Sequence, residues 1–103
     1  MTVFLMNADA EMTEFFSAIA QVMRDRFGIT WAEAVARLNQ AWGHLEFAPY
    51  PDLVCHEDEE FWAHVLYFEE RVPYWDEGAD RDRWQIAPPP PAGSDCWTLP
   101  DDA

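Results

Sequence analysis

The sequence predicts a small, mainly α domain. Three observations predict it: apolar residues recur at spacings of three and four, capping residues precede these stretches, and a glycine or a proline follows each one. The expected architecture is three helices, with a short extended N-terminal arm and an irregular, proline-rich, acidic C-terminal tail. Residues 1–87 form the expected helical domain and residues 88–103 the tail. A chain of 103 residues suits one domain with a modest core.

Residues 2–6 carry Val3, Phe4 and Leu5. The run is too short to tell an edge strand from an arm packed on the helices. Asn7 or Asp9 can cap the first helix, because a short side-chain acceptor satisfies free amides of the first turn. That helix is expected over Ala10–Phe27. Its stripe is Met12, Phe15, Phe16, Ile19, Val22, Met23 and Phe27. Arg24 and Arg26 suit its carbonyl end. Gly28 supplies the left-handed residue that ends it.

Thr30-Trp31-Ala32-Glu33 reads as a capping box, in which hydroxyl and carboxylate each satisfy an amide. The second helix is expected over Trp31–Trp42, with Trp31, Ala34, Val35, Leu38, Ala41 and Trp42 facing inward. Gly43 is expected to end it as Gly28 ends the first. The short turn between the two makes an antiparallel or steeply crossed pair.

Pro49 and Pro51 flank Tyr50 and make residues 44–54 an extended connection, since each proline disfavours helix in its predecessor. The stretch HEDEEFWAHVLYFEERVPYW, residues 56–75, is both the most charged and the most aromatic part of the chain. It predicts a third helix over about residues 57–72, closed by Pro73. Phe61, Trp62, Val65, Leu66 and Phe68 are its expected buried side. Trp84 and Ile86 are expected to fold back on the bundle. Pro88 to Pro91 favour polyproline II. The acidic end beyond Ala87 is expected either to be loosely held or to wrap as an arm, with Trp97 and Leu99 as its docking groups.

Net charge is −14, from 20 acids against six arginines and no lysine. Such an excess opposes binding to nucleic acid and to anionic membrane, because phosphate binding needs cations that replace counterions. It favours a partner with a basic surface and speeds encounter with it; it also serves solubility. No basic leader followed by an apolar run opens the chain. No window approaches the roughly 18–20 apolar residues of a membrane span. A cytoplasmic protein with Cys55 and Cys96 reduced is the expectation.

Chemistry-bearing patterns are few. His56, Glu60 and His64 are spaced by four and would share one face of an unbroken helix. Eight residues rise about 12 Å, so the two histidines cannot reach one ion. Glu60 with His64 is the pair left for zinc or iron. The zinc-protease spacing H-E-x-x-H is absent. Cys55 beside His56 does not make a nucleophile, since adjacent side chains diverge and nearby acids raise a thiol pKa. No nucleotide-binding, P-loop, hydrolase-elbow or kinase motif is present, so no cofactor is expected.

The aromatic set Tyr50, Trp62, Tyr67, Tyr74, Trp75 and Trp84 is mostly core material. Aromatic residues left at a surface are the usual interface anchors. Tyr74 and Trp75, beside Asp76 and Glu77, are the best placed. An aromatic ringed by carboxylates suits an arginine- or lysine-rich partner. The expected function is therefore non-catalytic: an acidic protein that masks a basic protein partner. Glu57, Asp58, Glu59, Glu60, Glu69, Glu70, Asp76 and Glu77 supply the field, and Tyr74 and Trp75 the anchor. The alternatives are a small metal-binding protein or metal-dependent enzyme using Glu60 and His64, and an accessory subunit of a larger assembly.

In type the chain is similar to small acidic immunity proteins, antitoxins and phage-encoded inhibitors, and its lysine-free, alanine- and arginine-rich style is common in GC-rich bacteria. The likeness lies in no motif and assigns no residue.

Overall fold

The structure, a computed structural model, describes residues 3–100. It is mainly helical, with α1 Ala10–Phe27, α2 Trp31–Trp42 and α3 Glu59–Tyr67, plus short 3-10 turns at Leu53–His56 and Arg81–Arg83. Among the described residues no helix is long and apolar enough to cross a membrane. Met1, Thr2 and residues 101–103 lie outside the described residues, so the ends of the expected arm and tail do too.

α1 starts where Asp9 Oδ1 accepts a 2.8 Å hydrogen bond from the Met12 amide. It ends at Gly28, whose φ of 69° is left-handed and whose amide reaches the Arg24 carbonyl. A residue with a Cβ would be strained there. α2 starts where Thr30 Oγ1 accepts from the Glu33 amide. Only that half of the capping box forms. The Glu33 carboxylate instead accepts from Arg37 Nε at 2.9 Å. Gly43 is also a correction: its φ is −58°, an ordinary helical value. Glycine is needed there for space, because a Cβ would clash with the Asn39 carbonyl oxygen.

α1 packs on both α2 and α3. Met12, Phe16, Ile19 and Met23 of α1 and Val35 and Leu38 of α2 are sealed from solvent. Phe16 meets Trp42 and Phe47 at tilted and edge-on angles. Burial of this kind contributes roughly 1.5–3 kcal/mol per large apolar side chain.

Two polar side chains are buried on α2. Asn39, 3% exposed, accepts from the Leu5 amide and donates to the carbonyls of Val3 and Cys96. Arg37, 4% exposed, donates to Glu33 and to the Ala87 carbonyl and lies 4.7 Å from the Tyr67 ring centre. Each buried group thus has partners that offset its desolvation. Together they tie both ends of the described chain to α2. Thr98 Oγ1 adds a bond to the Val3 carbonyl, and Leu99 packs against the core.

α3 is shorter than its sequence implies. Glu57 precedes it, and Asp58 is its cap, accepting from the Phe61 amide at 2.9 Å. After Tyr67 the chain turns extended. Phe68 bridges Ile86 in antiparallel fashion, with bonds from Glu69 N to Gln85 O and from Ala87 N to Tyr67 O. Residues 67–69 therefore exchange helical bonds for pairing with residues 85–87. The buried face also differs. Ala63, His64 and Tyr67 are the buried residues of α3, whereas Phe61, Trp62, Val65 and Leu66 are half-buried.

Candidate functional site

The four acids ahead of and within the first turn of α3 have different fates. Asp58 spends its carboxylate on the cap. Glu60 Oε1 accepts from both Nε and Nη2 of Arg26, at 2.9 and 2.6 Å, joining α3 to α1. Glu57 and Glu59 make no side-chain hydrogen bond among the described residues, and Glu57 is exposed while Glu59 is half-buried. Glu69, Glu70, Asp76 and Glu77 are all exposed. Asp76 Oδ1 accepts from the Gly78 amide and shapes the turn after Trp75.

Tyr74 and Trp75 separate into distinct roles. Trp75 is 72% exposed and meets the Tyr74 ring edge-on at 5.3 Å. Tyr74 is half-buried, and its ring stacks on His64 at 4.5 Å and 15°. Desolvation pushes the Tyr74 hydroxyl pKa above its usual value, and the carboxylates of Asp58, Glu57 and Glu60 add to this. The acids before α3 and the ring of Tyr74 are thus electrostatic neighbours, although fourteen or more positions separate them in sequence.

The His64–Tyr74 stack forms a wall between two hollows. One, of about 240 Å³, is lined by Phe61, Val65, Val72, Pro73 and Trp75 besides the stack, with the Arg71 guanidinium over Phe61. The other, of about 630 Å³, is lined by Arg26, Phe27, Glu60, Phe68, Arg81 and Trp84 besides the stack. Arg81 lies over the Trp84 ring and donates to the Tyr74 carbonyl at 3.1 Å.

His64 Nδ1 lies 2.7 Å from the Glu60 carbonyl oxygen. A carbonyl only accepts, so Nδ1 carries the hydrogen and neutral His64 keeps its lone pair on Nε2. His56 belongs to the 3-10 turn and does not share the α3 face. Glu60 Oε2 is 3.8 Å from His64 Nδ1, but the backbone carbonyl of Glu60 takes the hydrogen of that nitrogen, and Arg26 binds the other carboxylate oxygen. Among the described residues no group of three or more His, Cys, Asp or Glu is placed to hold a metal ion. Burial pushes the Cys55 thiol pKa up, with Asp52 and Glu59 adding to it. Its sulfur lies 3.7 Å from Met12 Sδ.

Tyr67 is core, stacked on Phe27 at 4.0 Å. Trp62 meets Trp42 edge-on and donates to the Val54 carbonyl. Tyr50 is exposed. Arg26, Phe27 and Phe68, which the sequence marked as helix-end or apolar-face residues, and Arg81, which it did not mark, are not among the site residues the sequence pointed to. They come from separate segments, and no spacing in the chain marks them as neighbours. No family model, no curated protein and no solved structure matches the chain.

Proposed function

We propose that this chain is an acidic cytoplasmic binding protein that masks a basic protein partner, as an inhibitor or immunity-type protein does. The observation that supports this reading is the exposed Trp75, set beside an apolar hollow and close to Tyr74 with its carboxylate neighbours. A large ring left in water is an anchor that gains by desolvation. Acids around it attract an arginine- or lysine-rich surface and repel acidic competitors. Glu57, Asp58, Glu59, Glu60, Glu69, Glu70, Asp76 and Glu77 form the field in this reading, with the unpaired Glu57 and Glu59 freest to meet a partner.

A pull-down from the source-cell lysate at low and high salt, with wild type and Trp75→Ala as bait, tests it. The expected partner is basic, is held by wild type at low salt, and is released as salt rises. Trp75→Ala should lose it, with binding weakened by about 2 kcal/mol or more. The free variant's stability should move by no more than about 0.5 kcal/mol, as at other exposed positions. An acidic partner, or binding that strengthens with salt, would overturn the reading.

A further inference from the structure

We propose that residues 88–91 form a docking ridge, held ready by the fold, for a protein module that grips polyproline II helices in a groove of aromatic rings. Proline fixes its own φ, and it pushes the residue before it out of the helical region. Residues 88–91 are prolines, and residues 87–90 each precede one. The two effects together favour polyproline II, which has three residues per turn. Burial follows that period. Ala87 is half-buried, Pro88 and Pro89 are exposed, Pro90 is buried, and Pro91 and Ala92 are exposed. One edge of the three-sided helix, Ala87 with Pro90, therefore faces the body. The other two, Pro88 with Pro91 and Pro89 with Ala92, face water.

The buried edge is tied down. The Ala87 amide donates to the Tyr67 carbonyl at 2.8 Å, and the Ala87 carbonyl accepts from Arg37 Nη1 at 2.9 Å. Trp97 reaches back and donates its indole Nε1–H to the Pro90 carbonyl at 3.0 Å. The Ser94 amide donates to the Pro91 carbonyl. The carbonyls of Pro88 and Pro89 have no hydrogen-bond partner among the described residues. Prolines have no amide hydrogen, so the segment cannot be extended by a partner's strand. It offers a row of proline rings and two carbonyls, which is the surface that aromatic-lined grooves read. A free peptide loses backbone freedom when such a groove binds it. This segment has already lost that freedom on folding.

Charge decides which kind of groove fits. No charged residue stands between Arg83 and Asp95, so an acidic pocket that reads a ligand's arginine or lysine finds nothing on the ridge. Arg83, the nearest cation in sequence, is paired with Asp80 at 3.2 Å. The whole chain carries −14, which draws a groove with a basic rim and repels one with an acidic rim. The fitting partner is therefore an aromatic groove with a basic rim. No residue of the ridge belongs to the Trp75 surface, so the two proposals are tested apart.

The test titrates the full chain into a WW domain chosen for a basic rim and into an SH3 domain chosen for an acidic specificity pocket. Heat of binding and the amide signals of each domain's aromatic groove are the readouts. The WW domain should bind with its groove signals shifted, and more tightly than the SH3 domain. A free peptide of residues 85–94 should bind the WW domain about tenfold more weakly than the full chain, the worth of fixing about one residue's backbone. Joint replacement by Pro88→Ala and Pro91→Ala removes one exposed edge and should weaken the full chain about tenfold or more. Trp97→Phe removes the indole donor and should bring the full chain towards the affinity of the free peptide. Unshifted groove signals, a peptide that binds as tightly as the full chain, equal affinity after the double replacement, or tighter binding to the SH3 domain would overturn the proposal. If Trp97→Phe fails to fold, the exposed double replacement and the comparison of full chain with peptide decide the matter.

Discussion

The α1–α2 face and the α3–Trp84 face bury their residues by different means. Between α1 and α2 aliphatic, sulfur-bearing and small side chains, Met12, Ile19, Met23, Val35, Leu38 and several alanines, pack around the rings of Phe4, Phe16 and Trp42. Such side chains interdigitate to near-crystalline density and leave no room for a guest. Around α3 the filling is a chain of rings, with His64, Tyr74, Phe68, Trp84 and Phe27 meeting at stacked and edge-on angles. Both hollows lined by His64 and Tyr74 lie there. The sealed face accounts for stability, and the open face offers places to bind.

The largest effect should come from breaking the sealed face. Phe16→Ala empties a fully buried site and should cost about 3–5 kcal/mol. Urea unfolding should show a lowered midpoint at an unchanged slope. A change of no more than about 0.5 kcal/mol, ordinary for a surface position, would mean that the helices do not depend on this ring.

A smaller effect is expected where the ends are tied down. Asn39→Ala removes the acceptor for Leu5 N and the donor to Val3 and Cys96. It should cost roughly 1–3 kcal/mol. Limited proteolysis should then cut beyond Ala87 sooner than in wild type. Equal cutting rates would assign the fastening to Arg37 and Thr98 instead.

The smallest effect concerns a loop on the helix start. Asp9 Oδ1 holds the Met12 amide and Oδ2 the Tyr50 amide, and these donors keep its pKa below the ordinary 3.8. A carboxyl lowered in the fold contributes stability that is fully present above 3.8 and is lost as pH falls through the folded value. Asp9→Ala should therefore be less stable than wild type at neutral pH, and the two should converge as the solution is made more acid than the folded pKa. A gap that widens towards acid would reverse the assigned sign.

α1 and α2 were legible almost to the residue. Asp9, Gly28 and Thr30 act on amides and carbonyls within four positions of themselves, so local sequence contains the whole interaction. α3 was legible in existence but not in extent. Its first turn held four acids, and only the structure separates the cap Asp58 from the ion-paired Glu60. Its last turn was lost where Tyr67 and Glu69 pair with Ala87 and Gln85, a competition that helical spacing does not register.

For the candidate surfaces, sequence pattern alone picked out Tyr74 and Trp75 together as aromatics beside Asp76 and Glu77, and could not tell the half-buried Tyr74 from the exposed Trp75. It determined the helix starts, the apolar stripes and the charge of the chain, all of which follow from neighbours a turn away. Only tertiary structure decided that Tyr74 stacks on His64, that Asn39 and Arg37 are buried fasteners, and that Arg26, Arg81 and Trp84 meet across one cleft. Those outcomes depend on which distant segments exclude water from one another, a free energy that belongs to pairs of surfaces and is written in neither segment alone.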